Sequence, residues 1–408
     1  MKIRFISIFM VLLFSIYIVE SIKYLLYIPN QLDYFDAELL INYSSGFIRR
    51  GLLGEIFIFI HQSLKIDLLV LTKYFSIITY GLIIIYFVYN FIKKNISLFF
   101  LLLPSGLFFL LIDNRIRFRD SLLLLIIIVC AKIIKWKKIN EITRYLLLSL
   151  IISLGILFHE MFFFYTVPFI FLYFLMIKKR NISFILIFSL PLLCFLLSIY
   201  YHGEKNSGDI IYHHIIPLLD NHQISKELPS PFKFINSGIQ NYFKFTFLSI
   251  HQGFSLGILY FQYIVSLIFI LVRYYDFNNV DIFGNTNKHL KPINFQFLLF
   301  VFLIQIISSI AILGIAKDWQ RFIFFALISS FIYTNELSTK VDFIEIFHFK
   351  FDNFIAKYIV GKNRALTIFV STILLVPHLK LGNINYFFSN GYFMIFNYFT
   401  KILYIITS

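Results

Sequence analysis

The stretch DLLVLTKYFSIITYGLIIIYFVYNFI, residues 67–92, decides what kind of protein this chain is. Apart from Asp67 at its start and Lys73, it contains no charged residue, and Lys93 and Lys94 follow it directly. A bilayer core about 30 Å thick is crossed by about 20 apolar residues of helix. The stretch therefore predicts a transmembrane helix whose C-terminal end lies in the cytoplasm, where basic residues gather.

Similar apolar runs recur along the whole chain of 408 residues, of which 59% are hydrophobic and only 14% are charged. A soluble domain does not bury that much apolar surface. The formal net charge of +15 suggests a nucleic-acid partner, but the Lys and Arg residues lie in short clusters between the apolar runs. The positive-inside bias produces such clusters, so the charge indicates topology and we expect no nucleic acid to bind.

The basic clusters fix the direction of each predicted span. Residues 5–27 follow Lys2 and Arg4 and lack a small-residue cleavage site, which favours an uncleaved signal anchor with a cytoplasmic amino terminus. The chain as a whole, residues 1–408, is predicted to be one polytopic, all-α transmembrane domain with about 11 to 12 helices. The predicted spans are 5–27, 67–92, 96–112, one between Asp120 and Lys132, 145–158, one between Glu160 and Lys178, 182–200, 246–272, 294–316, 322–338, one ending at Pro377, and a weak run at 391–406.

The arginines do not follow the bias that the lysines follow. Six of the eleven fall in predicted external loops or at external helix ends: Arg49, Arg50, Arg115, Arg117, Arg119 and Arg321. The planar guanidinium group grips a phosphate through two parallel hydrogen bonds. A polyanionic substrate at the outer membrane face is the simplest functional explanation, although a single arginine also pairs with Asp or Glu or reaches a lipid headgroup.

Two segments concentrate these arginines. Residues 36–55, in the predicted external loop 28–66, combine two of them with three glycines that permit tight turns, and we interpret the segment as a loop. Asp36 and Glu38 are its candidate general bases. Residues 113–120 hold three arginines against two aspartates in a turn between two short spans, which leaves an excess of positive charge for a ligand.

Two further external helix ends carry candidate residues. His159 and Glu160 follow the fifth predicted span, and a His beside a carboxylate acts as an acid or base near neutral pH. Asp318, Trp319 and Arg321 follow the ninth, where Trp offers a flat face for a sugar ring. A helix-end His also serves as a cap and Trp as an interfacial anchor. We predict a catalytic group drawn from His159, Glu160, Asp36, Glu38 and Asp318, and a substrate-binding group of Trp319 with the six arginines.

The longest predicted external loop, residues 201–244, contains four histidines. No cysteine accompanies them and no HExxH spacing occurs, so we predict neither a metal site nor a cofactor. A loop of this length is suited to act as a lid or to bind an acceptor.

The external YSSGFIRRGLLGE at residues 43–55, the Arg-rich turn at 113–120, the His159–Glu160 pair and DWQRF at 318–322 resemble the Wzy-type O-antigen and capsular polysaccharide polymerases. More loosely, the layout is similar to other GT-C-like membrane glycosyltransferases. The resemblance implies a multi-pass protein with a GT-C-like helical arrangement in the bacterial inner membrane. It also implies that undecaprenyl-pyrophosphate-linked glycan repeat units are joined at the periplasmic face, with a chain-length regulator membrane protein as a further partner.

The resemblance implies roles without deciding among the candidates. The arginines would hold the diphosphate, and one of the His or acidic residues would deprotonate the acceptor hydroxyl. However, such polymerases often carry catalytic arginines in long external loops, and residues 201–244 contain none. A GT-C enzyme that uses a polyprenyl-phosphate-linked sugar, with Asp36 or Glu38 as base, therefore stays open. A flippase or transporter of lipid-linked glycans would show midplane charges or two similar halves, and the sequence indicates neither.

Overall fold

The structure is a computed structural model that describes residues 32–92, 119–176, 186–201, 203–204, 206–219, 224, 227–236, 297, 300–301, 303–305, 307–308 and 319–337. The secondary structure of these residues is helical, and they include no β-strand. The predicted all-α character is thus confirmed for the described part of the chain. Its helices are α1 (Tyr34–Leu39), α2 (Gly51–Leu64), α3 (Leu68–Ile92), α4 (Asp120–Lys135), α5 (Glu141–Phe158), α6 (Phe162–Met176), α7 (Leu186–Tyr200), α8 (Ser207–Ile215), α9 (Ser230–Asn236) and α10 (Trp319–Leu337).

The chain divides into two compact units. The first consists of Met1–Ile85, Ile116–Ser249 and Val301–Leu337, and the second of Tyr86–Arg115, Ile250–Phe300 and Ser338–Ser408. All ten helices belong to the first unit except for the C-terminal end of α3, which belongs to the second. The packing and the site described below are those of the first unit.

Helix α5 is the centre of the first unit. It packs against α2, α4, α6 and α7, while α4 also packs against α10 and α1 packs against α9. The face of α5 that these neighbours cover includes Leu148, Ile152 and Ile156, which are completely buried. Because four helices share this one partner, the two ends of α5 determine which segments of the chain meet.

Local sequence signals set both ends of α5. Asn140 is the N-cap, and its side chain accepts a hydrogen bond from the N–H of Thr143 at 2.7 Å. The helix ends at Phe158, and the C-cap His159 has an extended backbone and an N–H that donates to the carbonyl of Gly155. A Cβ on Gly155 would overlap the ring of Phe162, so glycine here lets α6 begin directly after a three-residue turn. That turn carries His159 and Glu160.

The exposed side of α3 is apolar, whereas the exposed face of a helix in a soluble protein is commonly polar. Its exposed stripe is apolar, with Ile78 58% exposed, and it consists of Val70, Tyr74, Ile78, Leu82, Ile85 and Tyr89. Its buried face carries Thr72, Ser76 and Thr79 at helical spacing. The hydroxyl of Thr79 lies 2.9 Å from that of Ser121 on α4, so polar groups link the two helices inside the unit.

Two of the described helices are long and apolar enough to cross a membrane: the part of α3 from Leu68 to Asn90, and α5. The apolar stretches Gly51–Leu64, Phe162–Leu175 and Ile187–Tyr200 are shorter. At 1.5 Å per residue such helices are about 21 to 23 Å long, less than a bilayer core of about 30 Å. The predicted spans at 5–27, 96–112, 246–272 and 391–406, and the run ending at Pro377, lie outside the described residues.

The interpretation of residues 36–55 as a loop is wrong in part. The segment begins within α1 and ends within α2, a helix of 14 residues, and only the turn between them is irregular. A criterion based on span length misses α2 because Glu55 and His61 interrupt its apolar run. The helix is stabilised by burial of its other face, including Leu53 and Phe57, instead of by length. Residues 201–244 likewise contain two short helices, α8 and α9.

Candidate functional site: an arginine, glutamate and histidine cluster

Arg49 and Arg50 lie at the corner where the chain leaves the turn after α1 and enters α2. Arg50 has a φ of +66°, in the left-handed region that residues other than glycine rarely occupy. The N–H of Arg49 donates to the carbonyl of Tyr201 at 3.1 Å, which ties this corner to the end of α7. Backbone held in such a conformation by its surroundings is a feature of functional sites.

The side chain of Arg50 donates hydrogen bonds to the carboxylate of Glu160, a residue 110 positions further along the chain. Its Nε donates to Oε2 at 2.9 Å and to Oε1 at 3.1 Å, and its Nη2 donates to Oε1 at 2.5 Å. This is the planar, two-point geometry in which arginine recognises carboxylate and phosphate groups. The pair joins the start of α2 to the turn between α5 and α6.

Two more charged residues extend this pair. Nη1 of Arg49 lies 3.7 Å from Oε1 of Glu160, and Nη1 of Arg50 lies 3.6 Å from Oε1 of Glu38 on α1. The side chain of Arg50 is 25% exposed and that of Glu160 19%, whereas that of Glu38 is only 4% exposed. The Arg50–Glu160 pair therefore forms the accessible edge of the cluster, and Glu38 lies behind it.

Arg119, the residue before α4, is completely buried and contacts the backbone of the same two segments. Its Nη1 donates to the carbonyl of Arg50 and to that of Phe158, both at 2.9 Å. The carbonyl of Phe158 is at the C-terminal end of α5, where helical carbonyls lack intrahelical donors and the helix dipole favours a cation. Arg119 thus holds together the two backbone segments whose side chains form the Arg50–Glu160 pair.

His159 is buried immediately beside this pair. Its Nδ1 accepts a hydrogen bond from the N–H of Met161 at 3.3 Å and lies 3.5 Å from Oε2 of Glu160. The contact with Met161 requires an unprotonated Nδ1, whereas an ion pair with Glu160 requires a protonated one. The N–H of Met161 and the carboxylate of Glu160 therefore share the same ring nitrogen of His159.

Asp36 faces away from the arginines. Its Oδ1 accepts a hydrogen bond from the hydroxyl of Thr72 on α3 at 2.7 Å, and it is fully buried. Asp36 and Glu38 are two residues apart in α1, so their side chains point to different faces of the helix. Asp33 caps α1 by accepting hydrogen bonds from the N–H groups of Phe35 and Asp36. Asp36 therefore joins α1 to α3, while Glu38 belongs to the arginine cluster.

The charge of Glu160 is set by its neighbours. Burial raises the pKa of its carboxyl, but Arg50, then His159 and Arg49, outweigh burial and hold the pKa well below the ordinary value of 4.5. Glu160 is therefore ionised at neutral pH. A carboxylate with so low a pKa is a weak general base, which makes Glu160 a less suitable catalytic base than the sequence suggested.

The structure thus brings together six of the predicted site residues from four segments of the chain: Glu38, Arg49, Arg50, Arg119, His159 and Glu160. Asp36 is adjacent in sequence but faces α3. Arg115, Arg117 and Asp318 lie outside the described residues. Trp319 and Arg321 are in the first turn of α10, and their side chains lie outside the described part. Within that part, no group of three His, Cys, Asp or Glu residues is arranged to hold a metal ion.

Some contacts of the site were not foreseen. Thr72, the partner of Asp36, is recognisable in hindsight as the first of three hydroxyl residues at helical spacing on an otherwise apolar helix. The contacts that Arg119 makes with backbone carbonyls have no signal in the sequence, because every residue has a carbonyl group.

No protein-family model, no curated protein and no solved structure matches this chain.

Proposed function

We propose that this chain is a polytopic membrane glycosyltransferase that polymerises undecaprenyl-pyrophosphate-linked oligosaccharide repeat units into O-antigen or capsular polysaccharide. The reaction would take place at the periplasmic face of the bacterial inner membrane. The observation that carries the proposal is the convergence of Arg49, Arg50 and Arg119 with His159 and two glutamates at one end of α5. A diphosphate leaving group and a hydroxyl acceptor need this combination of cations and proton acceptors.

A membrane setting agrees with the surfaces of α3 and α5, the two described helices that are long and apolar enough to cross a membrane. The exposed stripe of α3 is apolar, and so is that of α5, which consists of Ile142, Leu146, Leu150 and Leu154. Exposed apolar stripes on these two helices suit contact with lipid, and hydroxyl residues between helices suit packing inside a membrane. The full set of about 11 to 12 spans and the inner-membrane location are part of the proposal.

The proposed reaction transfers a glycan chain from one carrier lipid to the next repeat unit. The acceptor hydroxyl forms a bond with the anomeric carbon of the chain, and the bond from that carbon to the diphosphate oxygen breaks. The hydroxyl proton passes to a base, and both bonding electrons leave with undecaprenyl pyrophosphate. Arg49 and Arg50 would stabilise the negative charge on the departing diphosphate, with Arg115, Arg117 and Arg321 as further candidates.

His159 is the base that the geometry supports best. It is buried beside the arginines, its Nδ1 lies 3.5 Å from Glu160, and an imidazole exchanges protons near neutral pH. Glu160 is disfavoured as a base because its pKa is held well below 4.5. Trp319 stays a candidate for stacking on a sugar ring, and Asp318 for the acid or base role.

A second candidate is a GT-C glycosyltransferase that uses a polyprenyl-phosphate-linked sugar. The buried position of Glu38 behind Arg50, in the first predicted external segment, favours it. In this case Glu38 would be the general base, while the arginines would hold a single phosphate. The carrier lipid and the membrane face are the same in both proposals.

The two candidates differ in the glycan that accumulates when the protein is lost. The test is complementation of a deletion in the encoding strain, with the surface polysaccharide ladder resolved on a gel at matched expression. The variants are Arg50→Ala, Arg119→Ala and His159→Ala. The control is Arg144→Ala, which changes an arginine near the opposite end of α5, about 22 Å from His159 along the helix.

For a polymerase, the deletion and the three cluster variants leave lipid-linked glycan with a single repeat unit, whereas the Arg144→Ala ladder is retained. Loss of even the single repeat would favour the transferase that adds one sugar. An unchanged ladder in the deletion strain would refute both proposals.

A further inference from the structure

The environment of Glu160 is that of a bound anion. Its two carboxylate oxygens are contacted by the guanidinium group of Arg50 at hydrogen-bond distance, by Arg49 at 3.7 Å and by His159 at 3.5 Å. Each of these groups is a cation or becomes one on protonation. A phosphate oxygen accepts the same forked pair of hydrogen bonds from arginine as a carboxylate does.

Glu160 is also the accessible carboxylate of the cluster. Its side chain and that of Arg50 are partly accessible, whereas Glu38, His159 and Arg119 are buried. A ligand that approaches from solvent therefore meets the Arg50–Glu160 pair first. The side chain of Glu160 can leave by rotation about its own bonds, because the backbone of its turn is held separately by the hydrogen bonds of residues 159–161.

Glu38 does not occupy an equivalent position. Its Oε1 lies 3.6 Å from Nη1 of Arg50, which is longer than a hydrogen bond, and it is buried within α1. Removal of Glu38 would change the charge near Arg50 but would not open the two-point site. The two glutamates thus provide a matched comparison between occupying the anion site and merely lying near it.

We propose that the carboxylate of Glu160 occupies the site in which Arg50 and Arg49 bind a phosphate group of the substrate's diphosphate, and that the substrate displaces it. The inference rests on the proposed function for its natural ligand, a diphosphate ester of a lipid-linked glycan. It assigns Glu160 a role different from that of a base: it holds the two arginines in their binding geometry while the site has no substrate.

The test is binding of inorganic pyrophosphate to the purified full-length protein in phosphatidylcholine nanodiscs, measured by calorimetry for the wild type, Glu160→Gln, Glu38→Gln and Arg50→Lys. A neutral amide competes poorly for arginine, so Glu160→Gln is expected to bind pyrophosphate about tenfold more tightly than the wild type. Glu38→Gln is expected to change the affinity by less, and Arg50→Lys to abolish the binding because lysine lacks the fork. Thermal unfolding of each variant establishes that it is folded.

Weaker binding of pyrophosphate by Glu160→Gln than by the wild type would overturn the inference. If Glu160 is needed to position Arg50 during binding, Glu160→Gln weakens pyrophosphate binding as Arg50→Lys does. If Glu38→Gln increased the affinity for pyrophosphate as much as Glu160→Gln does, the increase would be a general effect of charge and not a result of emptying the site. Absence of pyrophosphate binding in every variant would also refute it, as would competition by phosphatidylglycerol added to the nanodiscs, which would assign the site to membrane lipid.

The polysaccharide ladder separates this inference from the proposed function. A normal ladder in the deletion strain, together with tighter pyrophosphate binding by Glu160→Gln, would leave the anion site standing and refute the polymerase. A ladder lost on deletion, together with weaker binding by Glu160→Gln, would refute only the displacement of Glu160.

Discussion

At the scale of single residues, the cluster separates arginines that look equivalent in the sequence. Arg50 and Arg49 direct their side chains at a carboxylate on an accessible edge, whereas Arg119 is buried and binds two backbone carbonyls. We predicted all three to bind substrate directly. The positions of their side chains favour that role for Arg49 and Arg50 and a positioning role for Arg119.

The depressed pKa of Glu160 gives a prediction about pH. A carboxyl whose pKa is lower in the folded protein contributes free energy of unfolding that is present above its ordinary pKa of 4.5 and is lost as the pH falls through the folded value. We expect the unfolding temperature of the protein in nanodiscs to fall as the pH is lowered from about 5 to 3, and Glu160→Gln to reduce this dependence. The measurement is thermal unfolding as a function of pH.

The control for this prediction is Glu227→Gln. Glu227 is paired with Lys233 at 3.2 Å, but its side chain is 84% exposed, and exposed ion pairs contribute little to stability. A pH profile that Glu160→Gln leaves unchanged, or that Glu227→Gln alters to the same extent, would contradict the prediction.

At the scale of the elements, the position of α2 depends on one close approach of backbone. A Cβ on Gly54 would overlap the carbonyl of Ile41, so only glycine lets the first turns of α2 lie against the chain that follows α1. This contact fixes the distance between α1, with Glu38, and the start of α2, with Arg50.

We therefore expect Gly54→Ala to destabilise the protein by about 1 to 3 kcal/mol, the cost of overpacking, and to weaken polymer formation more than its stability alone would. Thermal unfolding and the polysaccharide ladder are the two measurements. Ser63→Ala, an exposed change near the other end of α2, is the control and should be neutral or slightly stabilising. An unfolding temperature as high for Gly54→Ala as for the wild type would show that α2 can move away.

The elements also show how far the sequence predicts the structure. The span predicted at 67–92 contains α3, and the fifth span was predicted to end at 158, where α5 ends, because apolar runs bounded by charges are a strong local signal. Helix α2 was missed because Glu55 and His61 interrupt its apolar run. The site was predicted as a set of residue types, but the choice of Glu160 as the partner of Arg50 depends on packing across 110 positions of chain, which no local pattern contains.

At the scale of the whole molecule, the exposed apolar stripes of α3 and α5 predict what surrounds the protein. If lipid covers the stripe of α3, Ile78→Asp places a charge in hydrocarbon at a cost of about 2.5 to 3.5 kcal/mol. We expect a marked loss of the protein from the membrane fraction and a lower unfolding temperature. Gln62→Asp adds the same charge at an exposed position of α2 and should have little effect. Normal amounts of a stable Ile78→Asp protein would indicate that this stripe faces water.

Arg119 binds backbone and Arg50 binds a side chain, and this difference predicts different patterns of amino-acid substitution at the positions involved. Arg119 recognises the carbonyl groups of residues 50 and 158, which any amino acid supplies, so those positions can change without breaking its hydrogen bonds. The side chains of Arg50 and Glu160 recognise each other, and a change in one removes the partner of the other. Among descendants of a common ancestor, positions 50 and 160 should therefore change together, while an arginine at 119 should persist beside neighbours of varied identity.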